Sequence, residues 1–378
     1  MKKVLSIIML LAVIFSCTAG LAEEEAVKFA VLAPITGNYA EFGKAFEVAT
    51  KMAADEINAA GGINGRQIVL EVYDSKGDAI ESSDIARQLV EKEDVVGVIG
   101  DFSSSACMAN APIFGDAGLV QLSPTASHSD FTGMNDYMFS IMGRTDDESR
   151  FFITNLVGRY KGADNIGIIY ANTDWGNQVN DSMMDQAKID GITVVADEPY
   201  TEGEIDFTNV LNKVKNQDPE MLVLVMQTVD CANALNAIAQ MGWEVDVVSQ
   251  GANSSEQVIE IAGENAEGLC STTSFFIDES VPEEKAWLDT FVAAAGFSPT
   301  VHAAVAYDAV YVMAEAAKSC GDNITREGIR EGLENLGKYE GFTGLIEFDE
   351  TGAIFRKVLI VQVENGKFVR KTDYGYGE

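Results

Sequence analysis

The sequence predicts an α/β protein made of two similar α/β lobes with parallel-type central sheets. Three observations predict it. From Val27 onward, apolar runs of strand length alternate with amphipathic stretches of helical length. After Arg144-Thr145-Asp146-Asp147 the same order starts again. No Pro/Ser-rich linker separates the halves, so the chain must pass between lobes by short strand-like crossings, which are hinge candidates. Strand-helix alternation implies right-handed crossovers and helices on both faces of each sheet.

In the first half, residues 27–32 read as a strand. Ala45, Phe46, Ala49, Met52, Ala53 and Ile57 then recur at helical spacing until Gly61-Gly62 stops the helix. Strands follow at 68–73, 95–100 and 119–122, with helices at 78–92 and 105–117 between them. In the second half, strands are expected at 166–170, 192–196 and 221–226. Helices are expected at 177–190, 207–216 and 232–241, the last closed by Gly242. Residues 270–278 read as extended. Helices at 283–294 and 302–319, a strand at 344–348 and a hairpin over 358–370 complete the chain.

Composition narrows the function. A chain of 378 residues with 47% hydrophobic residues and 7 prolines can bury a large ordered core. Acidic residues outnumber basic ones 59 to 26, a formal net charge of −33, which opposes docking on nucleic-acid phosphates or anionic lipid. Two histidines, His128 and His302, and no C-x-x-C pair leave no basis for a zinc centre. No metal and no cofactor is expected.

Met1-Lys2-Lys3, the apolar run 4–15 and the small residues 16–22 have the form of a signal peptide, too short to span a bilayer. The protein is expected to be exported, to a periplasmic or extracellular location. Cleavage after Gly20-Leu21-Ala22 competes with a lipobox, Ile14-Phe15-Ser16-Cys17, that would leave a lipid on Cys17. Phe15 is bulky for a lipobox and the tether would be short, which favours simple cleavage. Removing residues 1–22 takes away Lys2 and Lys3 and no acid, so the mature surface is more acidic still. Cys107, Cys231, Cys270 and Cys320 then remain, as buried thiols or as disulfides that export permits.

Enzyme signatures are absent: there is no G-x-G-x-x-G after a strand, no G-x-x-x-x-G-K-[ST], no G-x-S-x-G and no H-E-x-x-H. Binding signals are present. Gly100-Asp101-Phe102-Ser103-Ser104-Ser105 leaves a buried strand and enters a helix, where free N–H groups, the helix dipole and a hydroxyl favour an anion. Ser104 or Ser105 could equally be the N-cap. A second hydroxyl-rich turn, Ser123-Pro124-Thr125-Ala126-Ser127-His128, follows the next strand and shares that sheet edge, which favours a small carboxylate site.

The stretch Val31-Leu32-Ala33-Pro34-Ile35-Thr36-Gly37 with Glu41-Phe42-Gly43 carries a resemblance to a known family. So do Ala54-Asp55-Glu56-Ile57-Asn58 with Gly61-Gly62-Ile63-Asn64-Gly65, the two serine turns, and Tyr307-Asp308-Ala309-Val310. Their order over the mature chain resembles the leucine/isoleucine/valine-binding proteins of ABC importers. The resemblance implies a type I periplasmic-binding-protein fold with a three-crossing hinge. Residues 27–144 plus 275–349 would form one lobe, and 145–274 plus 350–378 the other. By position, Ser104 would hold the ligand carboxylate with hydroxyl and N–H, beside Ser105. Ser127 would give its N–H to the carboxylate and its hydroxyl to the amine, which the Thr125 carbonyl would also accept from. Phe42 and Trp175 would pack on the ligand from opposite lobes, and Gln227 or Thr228 and His302 would face the cleft. The family's amine-binding acid falls on Gly251, which is no acid; Asp230 and Asp101 are the nearest substitutes. The family's lobe-one disulfide is missing, its positions being Gly77 and Ser103.

The sequence reading is therefore a monomeric, non-enzymatic solute-binding protein that delivers an amino acid, branched-chain in type, to the permease subunits of an ABC importer. The alternatives are a ligand without an amine, such as a small carboxylate or amide, and a sensor that reports to a membrane receptor.

Overall fold

Two sheets carry the chain, and the short apolar runs form them. The computed structural model describes residues 26–371; the signal segment 1–22, with Cys17, lies outside the described residues. Strands β1 (Val27–Ala33), β2 (Ile68–Asp74), β3 (Val95–Ile99), β4 (Gln121–Ser123) and β5 (Met138–Ser140) make a parallel sheet in the order β2-β1-β3-β4-β5. Both faces of this sheet are buried, as parallel pairing requires. Along β1, Phe29 and Val31 enter one core while Ala30 and Leu32 enter another on the opposite face. Helix α1 (Ala40–Ala59) lays Phe42, Ala45, Phe46, Ala49 and Ala53 on the first core. Helices α2 (Ala79–Val90) and α3 (Ser104–Asp116) cover the second, with Ile85, Ala86, Leu89, Cys107, Ala111 and Phe114. Asp78 caps α2 by accepting from the N–H groups of Ile80 and Glu81.

The chain then crosses to the second sheet. Here β6 (Asn165–Ala171), β7 (Thr193–Tyr200), β8 (Met221–Val225), β9 (Asp246–Ser249) and β10 (Cys270–Thr273) pair in parallel in the spatial order β10-β9-β8-β6-β7. Strand β8 alternates as β1 does: Leu222 and Leu224 face one core, Met221, Val223 and Val225 the other. The covering helices are α4 (Thr145–Phe151), which runs on as a π-helical stretch over Phe152–Lys161, α5 (Asp174–Asp190), α6 (Thr208–Lys215), α7 (Thr228–Gln240) and α8 (Glu256–Ala262). A second crossing returns the chain to the first lobe. There α9 (Pro282–Ala295), α10 (Val301–Ser319) and α11 (Arg326–Glu334) add Trp287, Phe291, Val305, Val312, Met313, Ile329 and Leu333 to the core of α1. A separate small hairpin, β11 (Tyr339–Gly341) with β12 (Gly344–Ile346), follows. Finally β13 (Leu359–Glu364) and β14 (Lys367–Lys371) extend the second sheet antiparallel beyond β10.

The third crossing is held in place before it reaches the second sheet. Ser140 N–H donates to the Gly352 carbonyl at 2.9 Å, and Ile354 lies in the first lobe's core. Val358 is the next residue in a core of the second lobe. The Arg356 side chain, 6% exposed, donates to the carbonyls of Ile141 and Thr343, both at 2.9 Å.

Several elements escape the sequence reading. Residues 145–161 fold as helix although Phe151-Phe152-Ile153 breaks the helical spacing of apolar residues; all three are buried. Strands β5 and β9 and helices α8 and α11 are short, and their polar or mixed composition hides them. Helix α7 begins at Thr228, four residues before the expected start. Cys107, Cys231, Cys270 and Cys320 are free thiols, three of them buried. No helix among the described residues is long and apolar enough to cross a membrane.

Candidate ligand-binding cleft

The two sheets point strand ends at a common cavity of about 460 Å³. One wall is the pair of hydroxyl-rich turns after β3 and β4. The first starts at Gly100, whose φ of +115° and approach to the Leu32 carbonyl, 2.0 Å from where a Cβ would sit, demand glycine. Ser103, not Ser104 or Ser105, is the N-cap of α3: its Oγ accepts from the Ala106 N–H at 3.1 Å. Ser104 and Ser105 thus stand in the helix's first turn, where backbone N–H groups have no intrahelical acceptor. The second turn is locked to the first. Ser123 Oγ donates to the Asp101 carbonyl at 2.8 Å and accepts from the N–H groups of Thr125 and Ala126. Thr125 Oγ1 donates to the Phe102 carbonyl at 2.8 Å, and the His128 N–H reaches Ser104 Oγ at 3.4 Å. Ser127 is fastened to the other lobe, its carbonyl accepting from the Thr145 N–H at 2.8 Å and its Oγ from Thr145 Oγ1 at 3.0 Å.

The opposite wall comes from the ends of the second sheet. Trp175 is in the first turn of α5, whose N-cap Thr173 also lines the cavity. Gln227 lies between β8 and α7, and Gln250 follows β9. Glu202, on the loop after β7, accepts a hydrogen bond from the Tyr39 hydroxyl at the start of α1, so this contact spans the lobes. Burial raises the pKa values of both groups. Glu148, one turn into α4, accepts from Thr272 Oγ1 at 2.7 Å and also lines the cavity. Lys76 and Asp78, from the turn before α2, also line it. His302, near the start of α10, is 6% exposed, and burial pushes its pKa down to about 4, so it is neutral.

The structure thus brings Ser104, Ser105, Thr125, Ser127, Trp175, Gln227 and His302 together on one cavity. It does not bring Phe42, Thr228 or Asp230 there. Phe42 is 1% exposed and stacks behind Phe102, ring centroids 4.5 Å apart, so Phe102 is the ring that faces the cleft. Thr228 is buried and donates to the Ala252 carbonyl at 3.1 Å. Asp230 is turned away by the early start of α7 and accepts from Tyr200 Oη at 3.0 Å and the Gly203 N–H at 3.1 Å. Asp101 is fully buried and accepts from Ser82 Oγ and the Phe102 N–H. Gly251 opens a 3-10 turn, and its neighbours Gln250 and Ala252 form the wall. Sequence reasoning missed Tyr39, Phe102, Glu148, Glu202 and Gln250. Among the described residues no His/Cys/Asp/Glu group could hold a metal ion.

A cleft between two α/β lobes, with amide and hydroxyl donors on one wall and side-chain oxygens on the other, defines a solute-binding protein. The chain belongs to the periplasmic binding protein family, whose model matches residues 26–367. Leu/Ile/Val-binding protein homolog 1 of Brucella suis is 25% identical over 320 residues, 84% of this chain and 85% of that protein. The leucine-, isoleucine-, valine-, threonine-, and alanine-binding protein of Pseudomonas aeruginosa is 25% identical over 329 residues, 87% of each chain. Among solved structures, the branched-chain amino acid transporter substrate binding protein of Streptococcus pneumoniae, in complex with isoleucine, matches with a TM-score of 0.83. It is 27% identical and covers 92% of this chain and 100% of that chain. The fold is the type I periplasmic binding protein fold. Its family comprises binding proteins for small molecules that serve ABC importers outside the cytoplasm.

Proposed function

We propose that this protein binds an amino acid of the branched-chain type in the cleft and presents it to the permease subunits of an ABC importer, as a monomer and without chemical conversion. The observation that carries this reading is the pair of turns at Ser104 and Ser127. Both line one cavity, Ser104 in the first turn of a helix whose leading N–H groups have no intrahelical acceptor, an arrangement that suits a carboxylate. The rings of Tyr39, Phe102 and Trp175 with Met142 and Ala252 supply apolar surface for an aliphatic side chain. The first lobe in this reading is 27–144 plus 275–354, extended past the expected 349 because Ile354 packs in its core, and the second is 145–274 plus 358–371, with the lobes rotating about the three crossings to close on the ligand. The signal segment is cleaved after Ala22, or at Cys17 with lipid attachment. Mass spectrometry of the exported chain separates these.

The function is tested by a thermal-shift screen of amino acids and organic acids. A ligand at a hundred times its dissociation constant adds about 2.7 kcal/mol of stability. Stabilisation by leucine, isoleucine or valine is expected; stabilisation by organic acids alone would refute the amino-acid reading.

A further inference from the structure

The second-lobe wall of the cavity has more acceptors than donors. Glu202 Oε1, Gln227 Oε1 and Gln250 Oε1 are buried without a direct hydrogen-bond partner, against one such donor on the same wall, Gln250 Nε2; the Gln227 side chain also bonds the Glu202 carboxylate. Buried polar atoms are ordinarily paired, because leaving them unpaired is costly. An excess of acceptors, one of them a carboxylate, is the complement of a group with several N–H donors and positive charge. Gly251 cannot supply an acid. The Asp230 carboxylate is occupied by Tyr200 and by the Gly203 N–H, and so holds the loop that carries Glu202.

We propose that Glu202 is the carboxylate that pairs with the ligand's ammonium group, with the side-chain oxygens of Gln227 and Gln250 as neutral co-acceptors. This inference rests on the amino-acid reading and deepens it: the ligand is a zwitterion, its carboxylate on the serine turns and its ammonium against the second lobe. Asp230 is then a positioning residue. Tyr39 shares the Glu202 carboxylate from the first lobe, so the ammonium group completes a contact that already joins the lobes. Burial raises the pKa of Glu202, and an arriving cation favours its charged form.

The experiment is calorimetry of the twenty amino acids and of their des-amino acids, leucine against 4-methylpentanoate being the first pair. Wild type, Glu202→Gln, Glu202→Asp and Tyr39→Phe are compared. The readout is the ratio of affinities within a pair, which general damage to the cleft does not change. The wild-type ratio should favour the amino acid. Glu202→Gln, which can still accept from Tyr39, should reduce that ratio roughly 10- to 150-fold, the weight of a hydrogen bond to a charged group. Glu202→Asp should retain part of the preference. Tyr39→Phe should weaken both ligands of a pair alike. An undiminished ratio in Glu202→Gln overturns the assignment and leaves the amino-acid reading intact. Binding of des-amino acids alone, or of neither set, overturns both.

Discussion

Adjacent serines at the start of α3 should divide stability from affinity. Ser103 Oγ is engaged twice, accepting from the Ala106 N–H at 3.1 Å and donating to the Gly77 carbonyl at 3.3 Å. Ser103→Ala therefore removes an N-cap, a loss of about 1 kcal/mol in stability, while ligand affinity changes little. Ser104, 5% exposed, accepts a long bond from the His128 N–H at 3.4 Å, and its own proton is available to the cavity. Ser104→Ala should leave unfolding in urea within about 0.5 kcal/mol of wild type. It should cost about 1.5–3 kcal/mol of binding to an amino acid, the contribution of a hydrogen bond to a carboxylate. Urea titration and calorimetry on the two variants read both quantities. Equal losses of affinity in the two variants, or unchanged affinity in Ser104→Ala, would refute the placement of the carboxylate on this turn.

Of the three tryptophans, Trp175 is half-buried on the cavity, whereas Trp287 lies in the first lobe's core and Trp243 packs against the second lobe's, away from it. A ligand-induced change in tryptophan fluorescence is therefore expected in wild type and should vanish in Trp175→Phe; its survival there would remove Trp175 from the site. His302 is buried with its pKa lowered from 6.5 to about 4, so the unfolded chain binds the proton more readily. Its stabilising contribution is complete above pH 6.5 and is lost as pH falls through 4, a span of about 3 kcal/mol. Urea unfolding at pH 7 and pH 4.5 should show wild type losing stability relative to His302→Gln, and parallel losses would contradict it.

The serine turns were legible because runs of hydroxyls directly follow apolar strands, and strand ends in a parallel sheet share one edge. Trp175 was legible because its neighbours Asn172, Thr173 and Asp174 are polar; it packs one side against the second lobe's core and lines the cavity with the rest. Phe42 misled by position in a motif, although its spacing with Ala45, Phe46 and Ala49 marks the core face of α1. Asp230 misled through the helix start. With α7 beginning at Thr228, the third residue of the first turn rotates away from the strand's axis and onto Tyr200. Glu202 was hidden in plain composition. In Thr201-Glu202-Gly203-Glu204-Ile205-Asp206 nothing local separates one acid from the next, and the packing against Tyr39 selects it.

The Arg356 guanidinium bears on how the lobes can move. By donating to Ile141, just after the last strand of the first sheet, and to Thr343, in the hairpin turn before the final crossing, it rivets two separate stretches of backbone to the third crossing segment. Segments pinned in this way cannot slide past one another without breaking buried bonds, so shear is resisted. The proposed rotation of the lobes keeps both bonds when its axis runs through this guanidinium. In the closure proposed above, the cleft then works as a door on a fixed pin, whose two walls meet in the same register each time.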